Sequence, residues 1–124
     1  MKKLILAVGM LLVPALGLAE TGDTRIMEVW NCSLKEGKTA DEVMAHNANW
    51  LAFVRQTNSD INSYGLTPIV GDAGMFMFAD SYPDLNTWSA AKKALDSDQG
   101  NALSEGFDAL LECKGNRLYE STQH

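Results

Sequence analysis

Apolar and polar residues are interleaved along the stretch from Arg25 to Leu34, and the period of two predicts a β-strand. One face of this strand carries Ile26, Glu28, Trp30, Cys32 and Leu34, and the other carries Met27, Val29, Asn31 and Ser33. Because both faces contain apolar side chains, the pattern favours a central strand that is covered on both sides.

A helix is predicted directly after this strand. Thr39 and Glu42 have the spacing of a capping box, so the helix begins near Ala40. At the helical period, the core-facing side contains Val43, Met44, Asn47, Trp50, Leu51 and Val54, with His46 and Phe53 at its margin. The helix therefore brings one amide and one titratable side chain close to the core.

Two further strands are predicted in the middle of the chain. Tyr64–Val70 contains Pro68, which cannot donate to a sheet ladder, so this strand is expected at an edge. A turn over Gly71–Gly74 leads to Met75–Ala79, which is apolar on both faces. The two strands are expected to form a hairpin.

The last third of the chain predicts two helical segments and a final strand. Asp84 is a suitable N-cap for a helix over Leu85–Leu95, a second segment covers Ala102–Glu112, and Arg117–Ser121 is the last strand. The resulting order is that of an α+β, ferredoxin-like split βαβ fold with an antiparallel sheet. Its spatial strand order is fourth, first, third, second, which makes the two doubly apolar strands central.

Residues 1–19 predict a secretory signal peptide. Lys2 and Lys3 precede an apolar run that ends at a small-x-small cleavage signal, Gly17–Ala19. A membrane anchor is the weaker interpretation because the run has about 15 residues, whereas a spanning helix needs about 20. The mature chain, residues 20–124, is expected to be a single periplasmic or secreted domain without a membrane segment.

The mature chain is strongly acidic. It has eight basic and sixteen acidic residues, a net charge of −8. Nucleic acids and anionic membranes both require a basic patch, so neither is expected as a partner.

The chain contains two cysteines, Cys32 and Cys113, both in the exported part. An oxidising compartment favours pairing them, and the predicted topology brings the end of the first strand close to the entry of the last. Structural metal sites use three or four ligands, so two cysteines predict a disulfide and no metal site.

The chain resembles the dimeric α+β barrel superfamily, which includes antibiotic-biosynthesis monooxygenases, haem-degrading monooxygenases and NIPSNAP domains. The resemblance rests on Lys35–Gly37 after the first strand, on Trp50 in the helix, and on Tyr82–Leu85 followed by Trp88. It implies a homodimer formed by packing of sheet faces and a pocket between sheet and helices in each protomer.

The resemblance also bears on the candidate site. Some haem-degrading members use an Asn on the first strand together with a Trp and a His, and Asn31, Trp88 and His46 are the comparable residue types here. In those relatives the histidine lies on the second helical segment, whereas His46 lies on the first, and no cofactor is predicted.

Four residues are ligand-binding candidates, and each has a structural alternative. His46 titrates near neutral pH as a residue type, which suits proton transfer, but an edge histidine of the helix is the simpler interpretation. Asn31 and Asn47 can orient a ligand or satisfy backbone groups. Trp88 can line a pocket or fill the core.

The leading hypothesis is a module that binds a small apolar or aromatic molecule between sheet and helices. The alternatives are a cofactor-independent monooxygenase-like enzyme of the same fold, and a structural or interaction protein without a pocket. The chain has no nucleophile elbow and no phosphate-binding glycine loop, which weighs against hydrolases and nucleotide enzymes.

Overall fold

The computed structural model describes residues 24–124, and these form four strands and three helices. In chain order the elements are β1 (Thr24–Leu34), α1 (Ala40–Val54), β2 (Asn62–Leu66), β3 (Met75–Tyr82), α2 (Leu85–Leu95), α3 (Asp98–Leu110) and β4 (Leu111–Thr122). The signal peptide predicted over residues 1–19 lies outside the described residues.

The four strands form one antiparallel sheet in the order β2-β3-β1-β4. This is the predicted order, so the α+β ferredoxin-like fold is confirmed. The apolar strands β1 and β3 are central, and β2 lies at an edge. The helices cover one face of the sheet, the covered face, and leave the other, the open face, without a layer from residues 24–124.

Helix α1 begins where the capping box predicts. Glu42 N donates to Thr39 Oγ1 at 3.3 Å, and Thr39 N donates to Glu42 Oε2 at 2.8 Å, so two free backbone donors are satisfied. Its buried residues are Val43, Asn47, Trp50 and Val54. Every one of them belongs to the predicted core-facing stripe.

Helices α2 and α3 each have a side-chain cap. Asp84 Oδ1 accepts from Thr87 N at 2.7 Å at the start of α2, as predicted, and this bond lowers the pKa of Asp84. Ser97 Oγ accepts from Gly100 N at 3.2 Å, so α3 begins at Asp98 rather than at the predicted Ala102. The polar stretch before Ala102 is a serine cap followed by a helical first turn.

Several strand boundaries differ from prediction. Strand β2 begins at Asn62 rather than Tyr64, and β3 continues to Tyr82, three residues beyond the predicted Ala79. Strand β2 ends at Leu66 and leaves Pro68 in the loop, because a proline has no N–H for the pairing with β3. Strand β4 begins at Leu111, six residues before the predicted Arg117, because Leu111 pairs with Leu34 and buries its side chain as a strand residue.

The predicted disulfide between Cys32 and Cys113 is confirmed. The two residues face each other across β1 and β4, and the register shifts by one residue immediately afterwards, so that Trp30 pairs with Asn116. Gly115 lies in this β-bulge with a φ of +133°, a conformation that side chains other than glycine rarely adopt.

The core between helices and sheet consists of two clusters. The first contains Cys32, Val43, Phe76, Phe78 and Leu111. The second contains Trp50, Val54, Ile61, Tyr82 and Ala91. Phe107 of α3 packs against both clusters, so the space beside Phe107 joins the two halves of the core.

Candidate functional site

A cavity of about 220 Å³ lies between the helices and the covered face of the sheet. Its apolar wall consists of Trp30, Trp50, Phe78, Leu95 and Phe107. Its remaining lining consists of the polar side chains Asn47, Asp80, Lys92, Ser104 and Asp108 and of the disulfide-bonded Cys113. A cavity lined by four aromatic side chains and a few polar side chains is the arrangement expected of a binding site for an organic molecule.

Asp80 is the buried carboxylate of this cavity, and its side chain is only 5% exposed. It lies on β3 with Phe78 and Tyr82, facing the helices. Asn47 Nδ2 donates to Ser63 Oγ at 3.0 Å, and Ser63 Oγ donates to Asp80 Oδ1 at 2.5 Å. This chain of hydrogen bonds from α1 through β2 holds one oxygen of Asp80 in place.

The protonation of Asp80 is set by its surroundings. Burial is the main influence and, together with the negative charge of Glu28, it raises the pKa of Asp80 to about 7. The hydrogen bond from Ser63 and the positive charge of Lys92 act in the opposite direction without cancelling it. Near neutral pH this carboxyl group therefore exchanges between its acid and its carboxylate.

Glu28 is a second buried carboxylate, and both of its oxygens have a partner. Asn116 Nδ2 donates to Glu28 Oε2 at 2.7 Å, and Lys92 Nζ forms an ion pair with Glu28 Oε1. The ammonium of Lys92 also lies 5.3 Å from the ring centroid of Trp30, a distance suited to a cation–π contact. Glu28 thereby fixes the one positive charge that lines the cavity in the described chain.

Two buried donors close to this network lack a partner within residues 24–124: Tyr82 Oη and Trp88 Nε1. Burial and the nearby charges of Asp80 and Glu28 raise the pKa of Tyr82, so its hydroxyl stays protonated. Both rings belong to the second core cluster and do not line the cavity.

Of the four ligand-binding candidates, Asn47 lines the cavity and the other three do not. Asn31 is exposed on the open face, opposite the side of β1 that carries Trp30. Trp88 packs in the second core cluster. The structure does not bring Asn31, His46 and Trp88 into one site.

His46 connects α1 to α3. Its Nε2 lies 2.7 Å from the carbonyl oxygen of Leu103, and its ring packs edge-on against Phe107 at 4.5 Å between centroids. A Cβ at Gly106 would lie 2.2 Å from His46 Cε1, so the glycine makes room for the imidazole. These contacts fit a structural role.

The sequence reasoning missed Glu28, Asp80, Lys92 and Asn116. A signal existed for Glu28, because the alternation of β1 places it between Ile26 and Trp30 on a core face. Extending the alternation of β3 beyond Ala79 would have placed Asp80 beside Phe78. An acidic residue that lies two positions from apolar residues, on the same face of a strand, is the pattern that indicates a buried carboxylate.

The described residues have neither a cluster of metal-ligating side chains nor a membrane-spanning helix. Among residues 24–124, no group of three or more His, Cys, Asp or Glu side chains is arranged to hold a metal ion. None of the helices in that range is long and apolar enough to cross a membrane.

The comparisons with known proteins identify the fold. No family model matches the chain, and no curated protein matches it either. Among solved structures, it is similar to SnoaB, a cofactor-independent oxygenase from Streptomyces nogalater, with a TM-score of 0.63 and 13% identity over 81% of this chain and 95% of that chain.

Two other solved structures have comparable similarity. A NIPSNAP family protein from Agrobacterium tumefaciens has a TM-score of 0.61 and 14% identity, over 80% of this chain and 87% of that chain. A possible oxidoreductase from Bacteroides thetaiotaomicron has a TM-score of 0.60 and 12% identity, over 81% of this chain and 100% of that chain. At these identities the likeness concerns the fold, and the fold implied by the resemblance to oxygenase-like and NIPSNAP domains is confirmed.

Proposed function

We propose that this protein binds a small aromatic molecule in the cavity between sheet and helices. The observation that carries this proposal is the aromatic wall formed by Trp30, Trp50, Phe78 and Phe107 around a space of about 220 Å³. That volume equals the liquid volume of roughly seven water molecules, which suits a molecule with one or two rings. Stacking and edge contacts with such a molecule would replace water on four aromatic faces.

Tryptophan fluorescence tests this proposal directly, because Trp30 and Trp50 line the cavity and Trp88 does not. Titration with naphthols and naphthoquinones is expected to quench the emission in a saturable way. The Trp88→Phe variant should keep most of the quenching, and Trp50→Phe should lose a large part of it. Equal losses in the two variants would contradict binding at this cavity.

A blocking variant provides an independent test. Ser104 lies on the cavity wall, so Ser104→Phe should place a ring in the space and weaken binding at least tenfold. Ser89 is exposed on α2 away from the cavity, and Ser89→Phe serves as the matched control. Calorimetric titration of both variants with 2-naphthol should give near wild-type affinity for Ser89→Phe alone.

We propose a cofactor-independent oxygenase as the second candidate function, because Asp80 places an acid-base group in an aromatic cavity. SnoaB, which has a similar fold, is such an oxygenase. In this scheme the Asp80 carboxylate accepts the hydroxyl proton of a naphthol, and the anion reduces dioxygen. One oxygen atom forms the new carbonyl and the other leaves as water, so that 1-naphthol and O₂ give naphthoquinone and water.

Oxygen uptake with 1-naphthol distinguishes binding from this reaction. An enzyme should consume one O₂ per naphthoquinone formed, and Asp80→Asn should lower the rate at least a hundredfold, since general bases typically contribute that much. Glu105 is exposed on α3 outside the cavity, so Glu105→Gln is the matched control. Uptake no faster than without protein would leave binding as the function.

We also propose that two copies associate through the open face of the sheet. The apolar residues that are at least 39% exposed there are Tyr64, Leu66, Met75 and Tyr119. An uncovered apolar sheet face of this extent is unusual for a monomer, and a second copy supplies a complementary surface by two-fold symmetry.

Neighbouring residues on β4 offer a matched test of this association. Tyr119 is 47% exposed and pairs with Met27 on the open face, whereas Leu118 is 42% exposed and pairs with Glu28 on the covered face. Light scattering at micromolar concentration should show a dimer for the wild type and for Leu118→Glu, and a monomer for Tyr119→Glu. A monomeric wild type would contradict the proposal.

We propose finally that the chain is exported, with cleavage after Ala19. The signal peptide predicted over Met1–Ala19 and the Cys32–Cys113 disulfide both support an oxidising location. Edman sequencing of protein isolated from its source cells should begin at Glu20, and thiol labelling without reductant should detect no free cysteine. A mature protein beginning at Met1 would contradict export.

A further inference from the structure

The charged groups around the cavity have a negative balance. Glu28 from β1, Asp80 from β3 and Asp108 from α3 are acidic, and Lys92 from α2 is the basic group that faces them. Lys92 is committed to Glu28, so its charge is already neutralised. A ligand carboxylate would therefore enter a site whose cation is occupied and whose remaining charges repel it.

The buried carboxyl group of the cavity, Asp80, leaves one of its oxygens open for a hydrogen bond. Ser63 occupies Asp80 Oδ1, and no other hydrogen bond to the Asp80 side chain exists within residues 24–124. Asp80 Oδ2 is not closed off by the protein, and Asp80 lines the cavity. A carboxylate oxygen only accepts hydrogen bonds, so its natural counterpart is a donor on the ligand.

The aromatic wall favours the same kind of ligand. Trp30 already has the ammonium of Lys92 near its ring, and Trp50, Phe78 and Phe107 add further aromatic rings to the lining. Ring faces attract cations and polarised N–H or O–H donors and repel anions.

We propose that the cavity selects aromatic molecules carrying a hydrogen-bond donor, either a phenolic hydroxyl or a protonated amine, with the donor directed at Asp80, and that it rejects aromatic carboxylates. This inference rests on the proposed binding of aromatic molecules and names their class. Asp80 is the specificity-determining residue, and the Asn47–Ser63 chain positions it.

Four probes built on one ring and a short chain separate these contributions: 4-ethylphenol, 2-phenylethylamine, ethylbenzene and 3-phenylpropanoate. Calorimetric titration of the mature protein at pH 8 is expected to give the amine and the phenol at least tenfold higher affinity than the carboxylate. Ethylbenzene should fall between the two groups, since it has the ring alone. Comparing the affinities of 4-ethylphenol and 2-phenylethylamine shows which donor the site prefers.

The pH dependence in the wild type tests the role of Asp80 without any substitution. Between pH 5.5 and pH 8, 2-phenylethylamine stays protonated, while Asp80 loses its proton near pH 7. Binding of the amine should therefore tighten about tenfold over this range. Tyr82 stays protonated because its pKa is raised, Asn47, Ser63 and Asn116 do not titrate, and His46 faces Leu103 and Phe107 instead of the cavity.

Substitutions complete the test. Asp80→Asn should reduce the preference for the amine over the carboxylate to less than threefold and abolish the pH dependence, with ethylbenzene binding unchanged. His46→Ala and Glu105→Gln, which lie outside the cavity lining, should retain both properties.

The outcomes distinguish a failure of this inference from a failure of the proposed binding of aromatic molecules. If none of the four probes binds, and naphthols do not bind either, both proposals fall. If ethylbenzene and 3-phenylpropanoate bind as tightly as the amine, or if Asp80→Asn keeps the preference, the cavity binds aromatic molecules and the selection by Asp80 is wrong.

Discussion

Each of the two faces of this sheet carries residues that are unusual for its position. The covered face contains the buried carboxylates Glu28 and Asp80 among aromatic rings, and the open face presents Tyr64, Leu66 and Tyr119 to solvent. A protein that only had to fold as a monomer would place acids outside and apolar groups inside. The proposed functions account for the difference, since ligand binding would use the covered face and association of two copies would use the open face.

The largest expected effect comes from adjacent residues of β3 that point to opposite faces. Phe76 is fully buried under the helices and Met75 is 39% exposed on the open face. Phe76→Ala should lower the free energy of unfolding by about 3–5 kcal/mol, because it leaves a cavity in the first core cluster. Met75→Ala should cost less than about 1 kcal/mol.

Urea titration with monomer and dimer species resolved measures both values. If Met75→Ala destabilises the protein as much as Phe76→Ala, the open face is covered in solution as completely as the helix face. In that case the covered face would be a core, and the open face would be a permanent interface between two copies.

A smaller effect is expected from the charge on the covered face. The pKa of Asp80 is about 7 in the folded protein and about 3.9 in an unfolded chain, so the folded state holds its proton more tightly. Stability from this group is fully present below about pH 4 and is lost as the pH rises through about 7. Asp80→Asn does not titrate and should remove this loss.

The measurement is the free energy of unfolding of both proteins at pH 4.5 and pH 8. The wild type should lose roughly 2–4 kcal/mol more than Asp80→Asn between these values. Parallel changes in the two proteins would mean that Asp80 is not desolvated, and the covered face would then be less enclosed than its geometry indicates.

The smallest effect concerns the contact between α1 and α3 on the covered side. Gly106→Ala should destabilise the wild type by about 1 kcal/mol, because the new Cβ would meet the His46 ring. In a His46→Ala background the same change should stabilise by up to about 1 kcal/mol, since alanine is the better helix residue. A double-mutant cycle by thermal unfolding shows whether the sign reverses; the same sign in both backgrounds would exclude a direct contact.

The topology could be predicted because each local pattern was independent of the tertiary structure. The period of β1, the capping box at Thr39 and the proline beyond β2 all limit what the backbone can do, and they agree on one fold. The extent of β4 could not be predicted, because Gly115 favours a turn in isolation. Only its pairing with β1 makes it part of a bulge.

The site was harder to predict than the fold. His46 and Asn31 were chosen by residue type. The role of a titratable or amide side chain depends on the groups that contact it, and the sequence does not show these contacts. Asn47 was found because the helical period placed it in the core, where a polar group needs a partner. Asp80 follows the same rule on β3, but the predicted end of that strand, Ala79, was three residues before its observed end at Tyr82.

Because of the bulge at Gly115, some segments of this chain can change length during evolution more easily than others. The extra residue places Asn116 beside Trp30 on the helix side, and every later side chain of β4 follows that phase. Deleting one residue between Cys113 and Asn116 would remove the bulge but keep the later pairing, because Cys113 and Asn116 would then be two residues apart and still face the helices. Deleting one residue between Asn116 and Tyr119 would instead turn Tyr119 toward the helices. Related chains should therefore vary in length within residues 67–74, which lie in a loop, tolerate loss of the extra residue in the bulge, and keep a fixed count from Asn116 to Thr122.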